Sequence, residues 1–300
     1  MPFGPRPSCR GLDLAFAALL AGLAVPAAAQ TPAPAGALAD CDAHWARRAE
    51  GAEGARAKPD EIDADVEACK RAADEAKDAL EPRWKLMRAL YFKGEFATED
   101  VERKKAIFDE GRKVGEGALD VARRQAARSG LSMEKAGPLE LVPALKGNRD
   151  AVATFLWAAV DWGKWALVFG KSAAVKQGAA AKIRDYASAV VRMDPAYEEA
   201  GGYRVLGRLH HQTPSVPFLT GWASRSEALA DLKKACDIAP RNFNNRLYLA
   251  DVTWDYDKAH RADARAVLES LVKDAPSAEF SVEDRKAQEE AQGLLKQWTK

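Results

Sequence analysis

Several absences narrow this 300-residue chain before any motif is read. No stretch alternates convincingly with period two, so a half-buried β-sheet has nothing to be built from. Beyond residue 30 no apolar run reaches the ~20 residues that cross a bilayer. There is no phosphate loop and no glycine-rich nucleotide fingerprint. Cysteine is scarce, at four residues. Excess charge is missing as well, with 45 Lys and Arg against 44 Asp and Glu. So balanced a total carries no overall electrostatic footprint for nucleic acid or anionic lipid.

What is present points to helices. Hydrophobic residues make up 47% and charged residues 30% of the chain. Alanine supplies much of the apolar share and β-branched runs are few, which suits closely packed helices. Residues 1–29 read as a cleaved secretory signal: Arg6 and Arg10, an apolar stretch from Leu14 to Val25, then Ala27-Ala28-Ala29. A soluble protein in the periplasm, or secreted, follows. Thr31–Gly36 reads as a disordered tether within residues 30–36. Of the cysteines outside the leader, Cys41 and Cys69 fall on successive predicted helices. They are either a disulfide or two small core residues.

The chain then divides into helical pairs over 37–130 and a second helical region over 131–300. The first helix is expected near Leu38–Glu50. The next runs from Asp60, as N-cap, to Leu80, with Pro82 as its stop. A third contains Trp84, Met87 and Tyr91 and closes at Gly94. A fourth starts from a Thr98 cap and ends at Ser129-Gly130. Gly137–Gly147 is a break whose leucines should press onto the helices. The densest aromatic stretch follows, at 155–169, with Phe155, Trp157, Trp162, Trp165 and Phe169. Gly163 inside it suggests a close approach or a turn.

The best-defined unit is Gly202–Pro240. Tyr203, Leu206, Gly207 and His210 mark one helix face, and Ala228, Leu232 and Ala235 mark another, with an irregular loop between them. Helix-ending prolines recur at 195, 240 and 276. Units of about 34 residues, each two helices and a stop, describe an all-α, tetratricopeptide-like array of antiparallel helix pairs, an α-solenoid. Its last helix, Val282–Trp298, reads as a polar cap.

Each candidate site has a plain reading beside it. Three tryptophans at 157, 162 and 165 can wall a pocket or fill a core. His210 and His211 point ~100° apart on a helix and cannot clasp one metal ion. Asp251 and Asp255 share a face and can hold a cation, act as acid and base, or simply pair with Arg246. No catalytic set and no cofactor motif emerges, so a non-enzymatic binding protein is expected.

From about Leu139 onward the chain resembles a known family. The resemblance rests on Leu141–Ala166 (LVPALKGNRDAVATFLWAAVDWGKWA) and Met193–Pro214 (MDPAYEEAGGYRVLGRLHHQTP). Gly221, the helix from Ala228 to Pro240, Leu247–Asp251 (LYLAD) and Arg285–Trp298 add to it. The family is that of the periplasmic T components associated with tripartite, TRAP-type transporters. The leader departs from it in lacking a lipobox cysteine. The resemblance implies a periplasmic adaptor that docks a substrate-binding protein, can be homo-oligomeric, and holds a hydrophobic small molecule in an apolar channel. Phe155, Trp157, Trp162, Trp165, Phe169, Tyr203, His210 and Phe218 are the candidate lining. The alternative is a general tetratricopeptide scaffold gripping a protein partner of the cell envelope. Neither reading involves nucleic acid, a membrane span, a metal or a cofactor.

Overall fold

The computed structural model describes residues 36–128, 130, 133–214 and 220–299. The leader, all but the end of the tether, and Phe218 lie outside these. Ala35–Lys300 forms one compact unit. Among the described residues it is all-helical, without a strand. The helices are α1 (Ala37–Ala46), α2 (Pro59–Glu75), α3 (Glu81–Phe96), α4 (Val101–Ala127), α5 (Pro138–Leu141), α6 (Arg149–Phe169) and α7 (Lys171–Lys176). They continue with α8 (Ala179–Met193), α9 (Tyr197–Gln212), α10 (Arg225–Ile238), α11 (Phe243–Tyr256), α12 (Arg261–Leu271) and α13 (Ser281–Gln297).

Local chemistry sets many of these ends. Asp100, Asn148, Ser224 and Asn242 each accept a hydrogen bond from a first-turn backbone N–H, which satisfies a donor the helix cannot. Pro195, Pro240 and Pro276 each follow a helix end. Pro82 does the opposite of what the spacing suggested. It sits in the first turn of α3, where a missing N–H costs nothing, and α2 stops earlier, at Glu75. Asp60 lies inside α2 behind Pro59, and Asp100 takes the cap expected of Thr98. Gly94 does not close its helix. It lets Phe108 approach so near that an added Cβ would sit 2.6 Å from the ring.

The long helices pack mostly in chain order, and alternate ones also touch. α3 meets α6, α6 meets α9, α9 meets α11 and α11 meets α13. Each of α4, α8, α10 and α12 bridges two members of that row, and α2 bridges α1 and α3. Two layers result. The row α3–α6–α9–α11–α13 forms one, and the bridging helices form the other. α13 does not end the fold as a polar cap. Val282, fully buried at its start, belongs to the N-terminal core with Ile62, Cys69 and Phe92. Beside it the Arg48 guanidinium, 5% exposed, donates to Glu283 at 3.0 Å and to the Glu279 carbonyl. The last helix therefore closes back onto the first three.

Cys41 and Cys69, both fully buried, are joined by a disulfide that ties α1 to α2. The largest core runs from Leu80 to Leu209 and crosses residue 130 without a break. Leu141 and Leu145 press into it from the 137–147 segment. Gly207 allows the α9–α10 approach: a Cβ there would lie 2.5 Å from Leu232 Cγ and 3.2 Å from the Ala228 carbonyl. Gly163 is different, because nothing lies within 4 Å of its would-be Cβ and α6 runs straight through it. Gly207→Ala is therefore expected to cost about 1–3 kcal/mol by overpacking. Gly163→Ala should gain up to about 1 kcal/mol from helix propensity. Urea midpoints of the two variants against the parent check both signs.

Candidate functional site

The row α3–α6–α9–α11–α13 carries a mixed aromatic and charged face. On α3, Tyr91 and Glu95 are four apart, so they share a side of the helix. Trp157 and Lys164, seven apart on α6, face them. The Tyr91 and Trp157 rings lie 5.5 Å apart. Lys164 Nζ donates to Glu95 Oε2 at 2.7 Å and stands 5.5 Å from the centre of the Tyr91 ring. Lys164 and Glu95 are ringed by protein yet 23% and 18% exposed, as side chains lining an open interior would be. Burial opposes both charges, but each outweighs it for the other, so the Lys164 pKa stands above its ordinary value and that of Glu95 below.

Farther along the row, Arg208 of α9 donates to Asp251 Oδ2 of α11 at 2.6 Å and lies 4.6 Å over the Tyr248 ring. His211 Nε2 meets Asp255 at 2.8 Å. A recess of about 290 Å³ opens here between α9, α11 and α13, lined by Arg208, Leu247, Tyr248, Asp251, Glu290 and Leu294. Glu290 lines the recess and forms no hydrogen bond or ion pair among the described residues. Its pKa is raised, chiefly because surrounding protein displaces water. The pKa values of Tyr91 and Tyr248 are likewise pushed up, chiefly by burial.

A strained turn positions the middle of this face. Glu198, Glu199 and Ala200 have φ of 48°, 53° and 65°, the left-handed region that costs a non-glycine residue about 1–2 kcal/mol. Their carbonyls are put to use. Arg204 donates to those of Glu198 and Glu199 at 3.2 Å each. Asn245, fully buried, donates to the Glu199 and Ala235 carbonyls at 3.0 Å and accepts from Arg204 at 2.9 Å. One amide thus fastens α9, α10 and α11 together.

The residues singled out from sequence part company. Phe155, Trp162 and Trp165 are 0%, 1% and 5% exposed and fill the core toward α4 and α8. Phe155 meets Tyr186, and Trp165 donates to Asp109 at 3.0 Å. Phe169, at the end of α6, stacks on Trp165 at 4.7 Å and is partly exposed. Trp157 alone of the group reaches the inner face. Tyr203 lies beneath Lys234 of α10. His210 accepts from the Ser224 backbone at 3.1 Å and meets Trp222 edge-on, so it fastens the loop after α9. Burial lowers its pKa, as that packed position requires. Asp251 pairs with Arg208 and Asp255 with His211, whereas Arg246 goes to Asp274. Cys41, Asp65 and Cys69 bring ligand atoms within 4.8 Å of one another, but both sulfurs are spent in the disulfide.

Tyr91, Glu95, Lys164, Arg208, Tyr248 and Glu290 are not among the candidate site residues that the sequence suggests. Their signal was an aromatic or charged pair at spacing three, four or seven on the helices of one layer. α6 is long and apolar enough to cross a membrane by length and composition, but more than half of the qualifying stretch is buried in this fold. No family model matches the sequence, and no curated protein matches it either.

Proposed function

We propose that this chain is a non-enzymatic, tetratricopeptide-like binding scaffold of the cell envelope. Its inner face grips an extended segment of a protein partner. The observation that carries the reading is the row from Tyr91 and Trp157, through the Lys164–Glu95 and Arg208–Asp251 pairs, to Tyr248. Aromatic rings give contact area at little entropic cost, and flanking charge pairs give register to a peptide backbone. An apolar ligand needs the opposite lining, and two of the three tryptophans expected to supply it, Trp162 and Trp165, are packed toward α4 and α8. The leader and the Cys41–Cys69 disulfide support a periplasmic setting. The resemblance to T components makes a transporter substrate-binding protein the first partner to test.

Photo-crosslinking from Tyr91 and Tyr248 positions, in cells of origin, tests the reading. Crosslinks to one protein partner are expected. Trp157→Ala, with unchanged circular dichroism, should weaken that complex by about 2 kcal/mol, roughly thirtyfold. A lipid-like mass retained in native mass spectra, with crosslinks confined to the outer layer, would replace this reading with the apolar-ligand one.

A further inference from the structure

We propose that the corner where α6 meets α7 is a docking surface for an anionic lipid bilayer. The balanced overall charge conceals a local imbalance. Residues 162–184 contain no Asp or Glu but hold Lys164, Lys171, Lys176, Lys182 and Arg184. Among the described residues, five large hydrophobic side chains are exposed, and three fall within nine positions here: Leu167 at 62%, Phe169 at 38% and Val175 at 58%. Gly170, with φ of 85°, turns the chain between the end of α6, which carries Leu167 and Phe169, and the adjoining α7, which carries Val175.

The charges around the corner divide cleanly. Lys164 turns inward to Glu95, Arg184 pairs with Asp185, and Lys182 leans over Trp162 within 3.6 Å of Glu116. The carboxylates of adjoining α4 are also engaged: Asp109 by Arg112 and Lys113, and Glu116 by Arg112. Lys171 and Lys176 remain, exposed, and their side chains form no ion pair or hydrogen bond among the described residues. Exposed apolar side chains beside free lysines match the two layers of a bilayer surface, acyl boundary and anionic headgroup. A second copy of the chain fits less well, because a symmetric contact would set the same unpaired lysines against each other. Because α6 is largely core, attachment would be peripheral, with Leu167, Phe169 and Val175 entering the interface while the helix stays in the fold.

Co-sedimentation with vesicles tests this, using the chain from Gln30 onward so that Leu14–Val25 cannot itself bind lipid. Phosphatidylcholine vesicles containing phosphatidylglycerol should bind the protein at least about tenfold better than phosphatidylcholine alone. Lys171→Glu/Lys176→Glu and Leu167→Ser/Phe169→Ser/Val175→Ser should each lower that binding about tenfold, and about 0.5 M salt should release the protein. Urea midpoints would show that the variants fold. Equal binding to both vesicle types, no binding, or binding untouched by either variant would overturn the proposal. So would a dimer in solution that Leu167→Glu dissociates.

Discussion

Replacing Arg48 by alanine is expected to cost about 3–5 kcal/mol and to free the start of α13 from the N-terminal helices. Arg48 is 5% exposed and does three things at once. It neutralises Glu283, binds the Glu279 carbonyl, and stacks 4.3 Å over the Trp45 ring. Removing it leaves the Glu283 carboxylate inside the protein with its second oxygen already unpartnered. Burial already holds the Glu283 pKa above the ordinary carboxylate range, and Arg48 is what restrains it. Without that restraint the folded pKa rises further, while the unfolded value stays ordinary. The unfolded state then gives up its proton first as pH rises, so the variant's deficit grows with pH. Hydrogen exchange should show lost protection in α1 and the first turns of α13, with α8 and α9 unchanged. Uniform loss across all helices, or no loss in α13, would show that the closure is not a separate structural contact. Arg48→Lys should recover part of the stability, since it restores the charge but not the guanidinium's stacking and forked donors.

That closure marks the limit of what the sequence disclosed. Helix ends were legible because Pro195, Pro240, Pro276 and Gly130 act locally, through a missing N–H or a left-handed turn. Pro82 misled because the same missing N–H is harmless in a first turn, and only the neighbouring α2 decides which role applies. The Gly207 contact was legible as a small residue at a packing position, and Gly163 looked the same without having a neighbour. The aromatic stretch at 155–169 was visible as a mass of buried area, but its direction was not. Helical spacing places Trp157 away from Trp162 and Trp165, yet which face meets α4 and which meets the interior depends on the other layer. Asp251 needed a partner, and its choice of Arg208 over Arg246 depends on how α9 crosses α11. The left-handed turn at Glu198–Ala200 left no trace in composition, since none of these residues favours that conformation. It persists because Arg204 and Asn245, a few residues and a whole helix away, bind its carbonyls.

Asp161→Asn should raise stability at neutral and alkaline pH and remove much of its pH dependence. Asp161 lies at 0% exposure where α6 meets α4, and neither carboxylate oxygen has a partner. Gly111 makes the room, since a Cβ there would fall 2.5 Å from the carboxylate. Burial alone pushes the Asp161 pKa well above its ordinary value, so the folded protein keeps the proton that the unfolded chain releases. Stability is therefore full below the ordinary carboxylate range. It falls by about 1.4 kcal/mol per pH unit above it, until the folded pKa is reached. Asparagine copies the protonated acid's shape and never ionises, so that slope disappears with it. Asp65 supplies a second slope of the same sign. It is 1% exposed beside the disulfide, and burial lifts its pKa to about 7 against the pull of Arg88. Its loss is complete near neutrality. Urea midpoints from pH 5 to pH 9 should show a shallower fall with pH for Asp161→Asn, and for Asp65→Asn a fall removed only below about pH 7. Parallel curves for the parent and Asp161→Asn would mean that the carboxylate at the α4–α6 seam is ionised and compensated in the folded protein. The core would then hold a charge rather than a neutral acid.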